Sequence, residues 1–122
     1  MAFSPDFQTA FKGLRSILKK FESKLTVACD KPGKYVVNGA FDEKRKSAIS
    51  FGSAEIKKNY VSFHLMPVYC CDTLKTDISP ALKKRMQGKA CFNFKQADAA
   101  LFKELAALTK KGLERFKKAG YV

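Results

Sequence analysis

The N-terminal segment of the chain repeats its apolar positions at the spacing of an amphipathic helix. These side chains recur three and four residues apart and lie on one stripe, namely Phe7, Phe11, Leu14, Leu18 and Phe21. Lysines and arginines occupy the other side of the same segment. Ser4 followed by Pro5 combines a side-chain cap with a proline at the first helical position. The pattern predicts a helix over residues 5–23.

The middle of the chain changes to short β-rich runs that are separated by polar turns. We predict four strands here, over residues 25–29, 34–41, 47–56 and 60–68. Short polar turns join antiparallel neighbours, so these runs favour a meander over a parallel sheet. One face of the third run carries only small residues, which are Ala48, Ser50, Gly52 and Ala54. This favours close packing of a helix on that face over a hollow that a ligand fills.

The last third of the chain predicts two helices on either side of a short strand. Ser79-Pro80 repeats the serine–proline start and Gly88 supplies a stop, so we expect a helix over residues 80–87. Residues 90–94 alternate weakly and predict a strand. The final helix has its apolar stripe at Leu101, Leu105, Leu108 and Phe116.

Three residues mark the bounds and the packing of that final helix. Asp98 can cap its start and Gly120 can end it, while Gly112 inside it indicates a close approach to the sheet. The element order is therefore helix, meander, helix, strand, helix. It predicts a single α+β domain over residues 1–122, with an antiparallel sheet and the N-terminal and C-terminal helices packed on one face.

The net charge of +13 is the property of the chain that departs most from an average protein. Such a charge attracts anions, so we expect the partner to be an anionic small molecule or a nucleic acid. Nonspecific nucleic-acid binding would use the basic helices, and it is favoured where exposed aromatic rings lie beside the cations. Most phenylalanines lie on stripes that we expect to be buried. Tyr60, Tyr69 and Phe92 are the aromatic residues that we consider for exposure.

Neither a membrane span nor a secretory signal is expected from the sequence. No apolar run approaches the roughly 18 residues of a membrane-spanning helix, and the first residues lack a charged and an apolar signal region. We therefore predict a cytoplasmic location without a membrane partner. The four cysteines, Cys29, Cys70, Cys71 and Cys91, then read as reduced thiols packed in the core. None of them forms the paired spacing of a zinc site, and we expect no cofactor.

The sequence carries no recognised enzyme signature, which favours a binding domain over an enzyme. Both glycine-rich phosphate cradles and the nucleophile elbow are missing from the sequence. His64 is the only histidine, and alternation places it with Ser62 on the polar side of its strand. An enzyme that used His64 or Cys70 would need the histidine to lie in a cleft beside a nucleophile or a carboxylate.

The polar side of the sheet around His64 is the place where we predict a ligand pocket. Lys89, Asn93 and Lys95 belong to the last strand or its flanks and can join His64 there. In this hypothesis the lysines supply point charges, while His64 and Asn93 orient an anionic ligand by hydrogen bonds.

Two segments of the chain carry a resemblance to a known family. The segment 60–69 reads YVSFHLMPVY and the segment 79–94 reads SPALKKRMQGKACFNF. They resemble the YdhG-like family, a bacterial domain of unknown function in which a strand reading roughly V-S-L-H precedes a glycine-lysine-x-cysteine/serine segment and a closing helix. The resemblance extends over residues 25–118 and implies a compact α+β domain with an antiparallel sheet.

Some YdhG-like proteins are described as frataxin-like iron chaperones, which implies iron binding by surface carboxylates. This chain departs from that pattern because it is basic and has no acidic cluster in its sequence. We therefore carry no metal ligand over, and iron handling stands as a further alternative to the anionic ligand.

Overall fold

The computed structural model of the chain describes residues 5–44, 46–70, 74, 76, 78–88 and 91–120. The helices and strands described below follow in chain order: α1 (Pro5–Lys19), β1 (Thr26–Lys31), β2 (Lys34–Asp42), β3 (Ser47–Ile56), β4 (Val61–Leu65), α2 (Met66–Cys70), α3 (Pro80–Lys83), β5 (Met86–Gln87), β6 (Cys91–Phe94) and α4 (Ala99–Ala119). A 3-10 turn at Glu22–Lys24 connects α1 to β1.

The six described strands form one antiparallel sheet in the order β1-β2-β3-β4-β6-β5. Strands β1 to β4 are the meander that the short polar turns predict. Strand β6 then pairs with β4, and the two-residue strand β5 forms the edge beyond it.

Helices cover one face of this sheet and form the core with it. On β4, Val61, Phe63 and Leu65 are fully buried, and the register places Phe92 of β6 directly beside Phe63. Helix α1 packs on β3 and β4 and also contacts α4, so both terminal helices lie on the same side of the sheet. The α+β architecture with both terminal helices on one face is confirmed.

Strand β3 packs against α1 through its small residues, as the sequence predicts. A β-carbon added to Gly52 would lie 2.9 Å from Cδ2 of Leu18, so α1 packs closely enough on the backbone of β3 to require a glycine here. Ala54 is fully buried as well, but Ala48 is exposed. The register shifts at Phe51, whose ring turns to the core and meets Phe116 edge-on at 5.3 Å. This bulge ends the small-residue face.

Several predicted boundaries were wrong, beginning with the strand predicted over 25–29, which runs over Thr26–Lys31. Helix α1 ends at Lys19 and not at residue 23. The strand predicted over 60–68 ends at Leu65, because Pro67 has no N–H for a central strand and fits the first turn of α2. The helix predicted over 80–87 ends at Lys83, and residues 86–87 pair with β6 instead.

Helix α4 begins and ends where its cap residues predict. The Asp98 carboxylate accepts a hydrogen bond from the Leu101 amide at 3.1 Å, and Gly120 ends the helix with a φ of 80°. The close approach predicted at Gly112 exists, but it faces α2 and not the sheet. A β-carbon there would lie 2.8 Å from Cβ of Pro67. Ser4, the predicted cap of α1, lies outside the described residues.

A polar cluster joins α1 to the first hairpin. The Arg15 guanidinium donates to both oxygens of Asp30 and lies 4.9 Å from the ring centroid of Tyr35. The hydroxyl of Tyr35 donates to Glu22 at 2.8 Å. Burial, reinforced by this carboxylate, raises the pKa of Tyr35 to about 12.

Candidate functional site

Strand alternation assembles a row of polar side chains on the sheet face opposite the helices. Ser62 and His64 lie between the buried residues of β4 and point the other way. The register sets His64 beside Ser53 of β3 and Cys91 of β6, and it sets Ser62 beside Asn93. The open face therefore brings together residues that are distant in the sequence.

These side chains line a concavity of about 430 Å³, within the usual size range of small-molecule sites. Its lining combines hydroxyl, amide, imidazole, thiol, carboxylate and ammonium groups, from Ser53, Glu55, Lys57, Tyr60, Ser62, His64, Gln87, Cys91 and Asn93. We call this concavity the open-face pocket.

Two lining residues form a thiol–imidazole pair. Sγ of Cys91 lies 3.2 Å from Nδ1 of His64, and both side chains are half-buried. Burial lowers the pKa of His64 below its ordinary 6.5 and raises the pKa of Cys91 above its ordinary 9.0. At neutral pH both groups are therefore uncharged, and the thiol donates to Nδ1 when the imidazole proton is on Nε2.

The charged part of the pocket is an ion pair at the end of β3. Nζ of Lys57 lies 2.8 Å from Oε1 of Glu55, and this hydrogen bond raises the pKa of Lys57. The backbone amide of Lys57 closes the turn that follows β3, because it donates to the Tyr60 carbonyl at 2.8 Å. Because an ammonium has three N–H donors, Lys57 can bind a ligand while it keeps Glu55.

The amide of Asn93 is oriented by the strand at the sheet edge. Its Nδ2 donates to Oε1 of Gln87, and the backbone amide of Asn93 donates to the Arg85 carbonyl at 2.7 Å. These contacts leave the Oδ1 of Asn93 as an acceptor and its second N–H as a donor at the pocket.

The structure brings together two of the four predicted pocket residues. His64 and Asn93 both line the open-face pocket. Lys95 does not, because β6 ends at Phe94 and Lys95 lines a separate concavity with Arg85, Gln96 and Asp98. Lys89 lies outside the described residues.

The sequence did not indicate Cys91, Glu55 or Lys57 as pocket residues. The expectation that the cysteines pack in the core is wrong for Cys29 and Cys91, which are both half-exposed. The side chain of Cys70 and all of Cys71 lie outside the described part of the structure. A usable signal was present, since burial of Phe92 and Phe94 sends Cys91 and Asn93 to the opposite face.

The basic residues of α4 lie on its exposed side. Lys110, Lys111, Arg115, Lys117 and Lys118 are exposed, whereas Phe116 between them is buried. The side-chain contact of Lys117 with Lys24, together with the charge of Lys24, lowers the pKa of Lys117. Phe92, considered for exposure, is fully buried, and the side chain of Tyr69 is not described. Tyr60 is half-buried and belongs to the open-face pocket.

Two further properties concern only the described residues. Within them, no group of three or more histidine, cysteine, aspartate or glutamate side chains could hold a metal ion. None of the described helices is both long and apolar enough to cross a membrane.

Comparison of the chain with protein-family models, with curated proteins and with solved structures found no match in any of the three. The YdhG-like resemblance therefore stays a prediction from the sequence.

Proposed function

We propose that this protein binds a small molecule with a single acidic group in the open-face pocket. The observation that carries the proposal is the placement of Lys57 at a concavity of about 430 Å³ that also holds hydroxyl, amide and imidazole groups. Lys57 receives the acidic group, and the neutral polar side chains orient the remainder of the ligand by hydrogen bonds.

The charge of the whole chain supports an anion as the ligand. With a net charge of +13, the protein attracts anions to its surface from a distance. Glu55 at the same pocket limits how much negative charge can enter, because a second carboxylate or a polyphosphate would approach it closely. A ligand with one carboxylate or one phosphate group fits this balance.

A titration followed by amide NMR spectra tests the proposal. Acetate and inorganic phosphate serve as probes, acetamide serves as the uncharged control, and chloride keeps the ionic strength constant. We expect saturable shifts at Ser53, Lys57, Ser62, His64 and Asn93 with the two anions but not with acetamide. Shifts confined to the lysines of α1 and α4 would contradict the proposal.

Lys57 and Lys58 offer a matched pair of variants, since they are adjacent in one turn and only Lys57 lines the pocket. Lys57→Ala should abolish the saturable shifts, whereas Lys58→Ala should keep them. The double variant Glu55→Gln/Lys57→Ala removes the unpaired carboxylate, so continued loss of binding identifies the ammonium itself as the anchor. Recovery of binding in that double variant would overturn the role of Lys57.

The same protein preparation distinguishes anion binding in the pocket from nonspecific nucleic-acid binding. Oligonucleotide binding that falls steeply with salt, together with no response to acetate or phosphate, would favour the exposed cations of the helices over the pocket. A saturable response to ferrous iron by the folded protein, without an anion response, would favour iron handling.

A further inference from the structure

The thiol–imidazole pair gives the open-face pocket a chemical capability beyond binding. An enzyme that used His64 would need this histidine to lie in a cleft beside a nucleophile. The open-face pocket meets that condition, with Cys91 as the nucleophile and not Cys70. The distance of 3.2 Å between Sγ and Nδ1 allows direct proton transfer. Both atoms belong to neighbouring central strands, so their relative position is fixed by the sheet.

We propose that Cys91 is a nucleophile that accepts an acyl group from an activated acyl donor, with His64 as its base. Sγ forms a bond to the carbonyl carbon of the donor while its proton passes to Nδ1 of His64. When the tetrahedral intermediate collapses, the bond to the leaving group breaks and the leaving group departs with the electron pair. His64 returns the proton to it, and the product is a thioester on Cys91. Nothing is oxidised or reduced.

Because the pair is uncharged, Cys91 should react with some classes of electrophile and not with others. A thiol that has not ionised in advance reacts slowly with simple alkylating agents, which follow the thiolate fraction. Attack on a carbonyl is different, because the base removes the proton as the bond forms. Because burial raises the pKa of Cys91 and lowers that of His64, the pair is uncharged, and its reaction proceeds through removal of the thiol proton by His64 and not from a preformed thiolate.

The lining of the pocket supplies two further requirements of this reaction. Tyr60 and Asn93 provide hydrogen-bond donors for the negative charge that develops on the carbonyl oxygen. Lys57 would receive an acidic group of the donor, which points to the class of acyl phosphates. This choice of donor rests on the proposed anion binding, whereas the reactivity of Cys91 does not.

The chain contains an internal control in Cys29. It is also half-exposed and lies on the same sheet, four strand positions from Cys91, or about 19 Å at the usual strand spacing. Because His64 is the only histidine of the chain, Cys29 has no imidazole to remove its proton. The two thiols therefore differ in the feature that the proposal depends on.

The test uses p-nitrophenyl acetate, an uncharged activated ester, with release of p-nitrophenolate and the masses of tryptic peptides as readouts. Cleavage after lysine and arginine places Cys29 and Cys91 in separate peptides. We expect a stoichiometric burst with the acetyl group on Cys91, lost in Cys91→Ala and unchanged in Cys29→Ala. Equal acetylation rates of Cys29 and Cys91 would overturn the proposal.

His64→Asn separates a base from a merely structural residue. Asparagine keeps a polar side chain that can accept a hydrogen bond from the thiol but cannot take up its proton. The rate of acetylation at Cys91 should fall by about 10²-fold or more, in the range of general-base effects. Circular dichroism and the unfolding transition check that the variant is folded. An unchanged rate in folded His64→Asn would contradict the role of His64.

Acetyl phosphate in a second arm distinguishes failure of the chemistry from failure of anion binding. Lys57→Ala should slow acetylation of Cys91 by acetyl phosphate by a larger factor than acetylation by p-nitrophenyl acetate, whereas Lys58→Ala, outside the pocket lining, should change neither rate. Suppose that Cys91 reacts with the ester, and that Lys57→Ala slows the acetyl phosphate reaction no more than the ester reaction. Cys91 would then remain the nucleophile, but acyl phosphates would be ruled out as its donors.

Discussion

On the helix-covered face of the sheet, β4 presents Val61, Phe63 and Leu65, and all three are fully buried. On the open face the same strand presents Ser62 and His64, and both are half-buried beside a pocket. One strand of five residues therefore contributes alternately to the core and to the candidate site. Substitutions one position apart on β4 should therefore separate stability from ligand chemistry.

The largest expected difference is between Phe63 and its neighbour Ser62. Phe63→Ala leaves a cavity beneath the helices and should lower the free energy of unfolding by about 3–5 kcal/mol. Ser62→Ala on the open face should change it by less than about 0.5 kcal/mol. Denaturant unfolding followed by circular dichroism measures both. Similar losses of unfolding free energy in the two variants would contradict the division of β4 into a core face and a pocket face.

Gly52 and Ser53 extend the comparison to β3. Gly52→Ala places a methyl group 2.9 Å from Cδ2 of Leu18 and 3.1 Å from the carbonyl oxygen of His64, and it should destabilise the protein by about 1–3 kcal/mol, as overpacking does. Ser53→Ala on the pocket side should be nearly neutral. If contact with Leu18 is the cause, Gly52→Ala should cost less in a Leu18→Ala background, and an equal cost in both backgrounds would contradict it.

The pH dependence of the free energy of unfolding tests the role of Tyr35 on the helix-covered face. Tyr35→Phe removes the hydrogen bond to Glu22 and should cost about 1 kcal/mol near neutral pH. Folding raises the pKa of Tyr35 from 10.0 to about 12, so the unfolded state loses this proton first. The advantage of the native protein over Tyr35→Phe should therefore be complete below pH 10.0 and shrink as the pH rises toward 12. A constant difference would argue against this assignment.

His64 should have a smaller effect on stability than Phe63, Gly52 or Tyr35. His64→Asn should change the free energy of unfolding by less than about 1 kcal/mol at neutral pH. Because burial lowers the pKa of folded His64 below 6.5, the unfolded state binds more protons as the pH falls through that value. The native protein should therefore lose stability relative to His64→Asn below about pH 6.5. Measuring unfolding on both sides of this pH checks the sign.

The helix-covered face could be predicted from sequence because local periodicity determines it. The apolar stripes of α1 and α4 identify the sides that pack, and β3 runs over Ser47–Ile56 as predicted. The end of the strand predicted over 60–68 belongs to α2 instead, and it contains Pro67, which is the local signal against a central strand. Edge strand β5 carries no such signal, since two residues are too few to show a period.

The open-face pocket could be predicted only in part. Alternation correctly separates His64 and Asn93 from the core, but it does not give the strand order. Cys91 meets His64 only because β6 returns beside β4, and Glu55 joins them through the register of β3. Long-range pairing of this kind is fixed by the whole fold and not by the residues near each side chain.

If the open-face pocket binds anions, an anion should stabilise the fold through Lys57. At ten times its dissociation constant, acetate should raise the free energy of unfolding by about 1.4 kcal/mol at constant ionic strength. We expect this increase in the native protein and in Lys58→Ala, and its absence in Lys57→Ala. An equal increase in all three proteins would contradict binding in the open-face pocket.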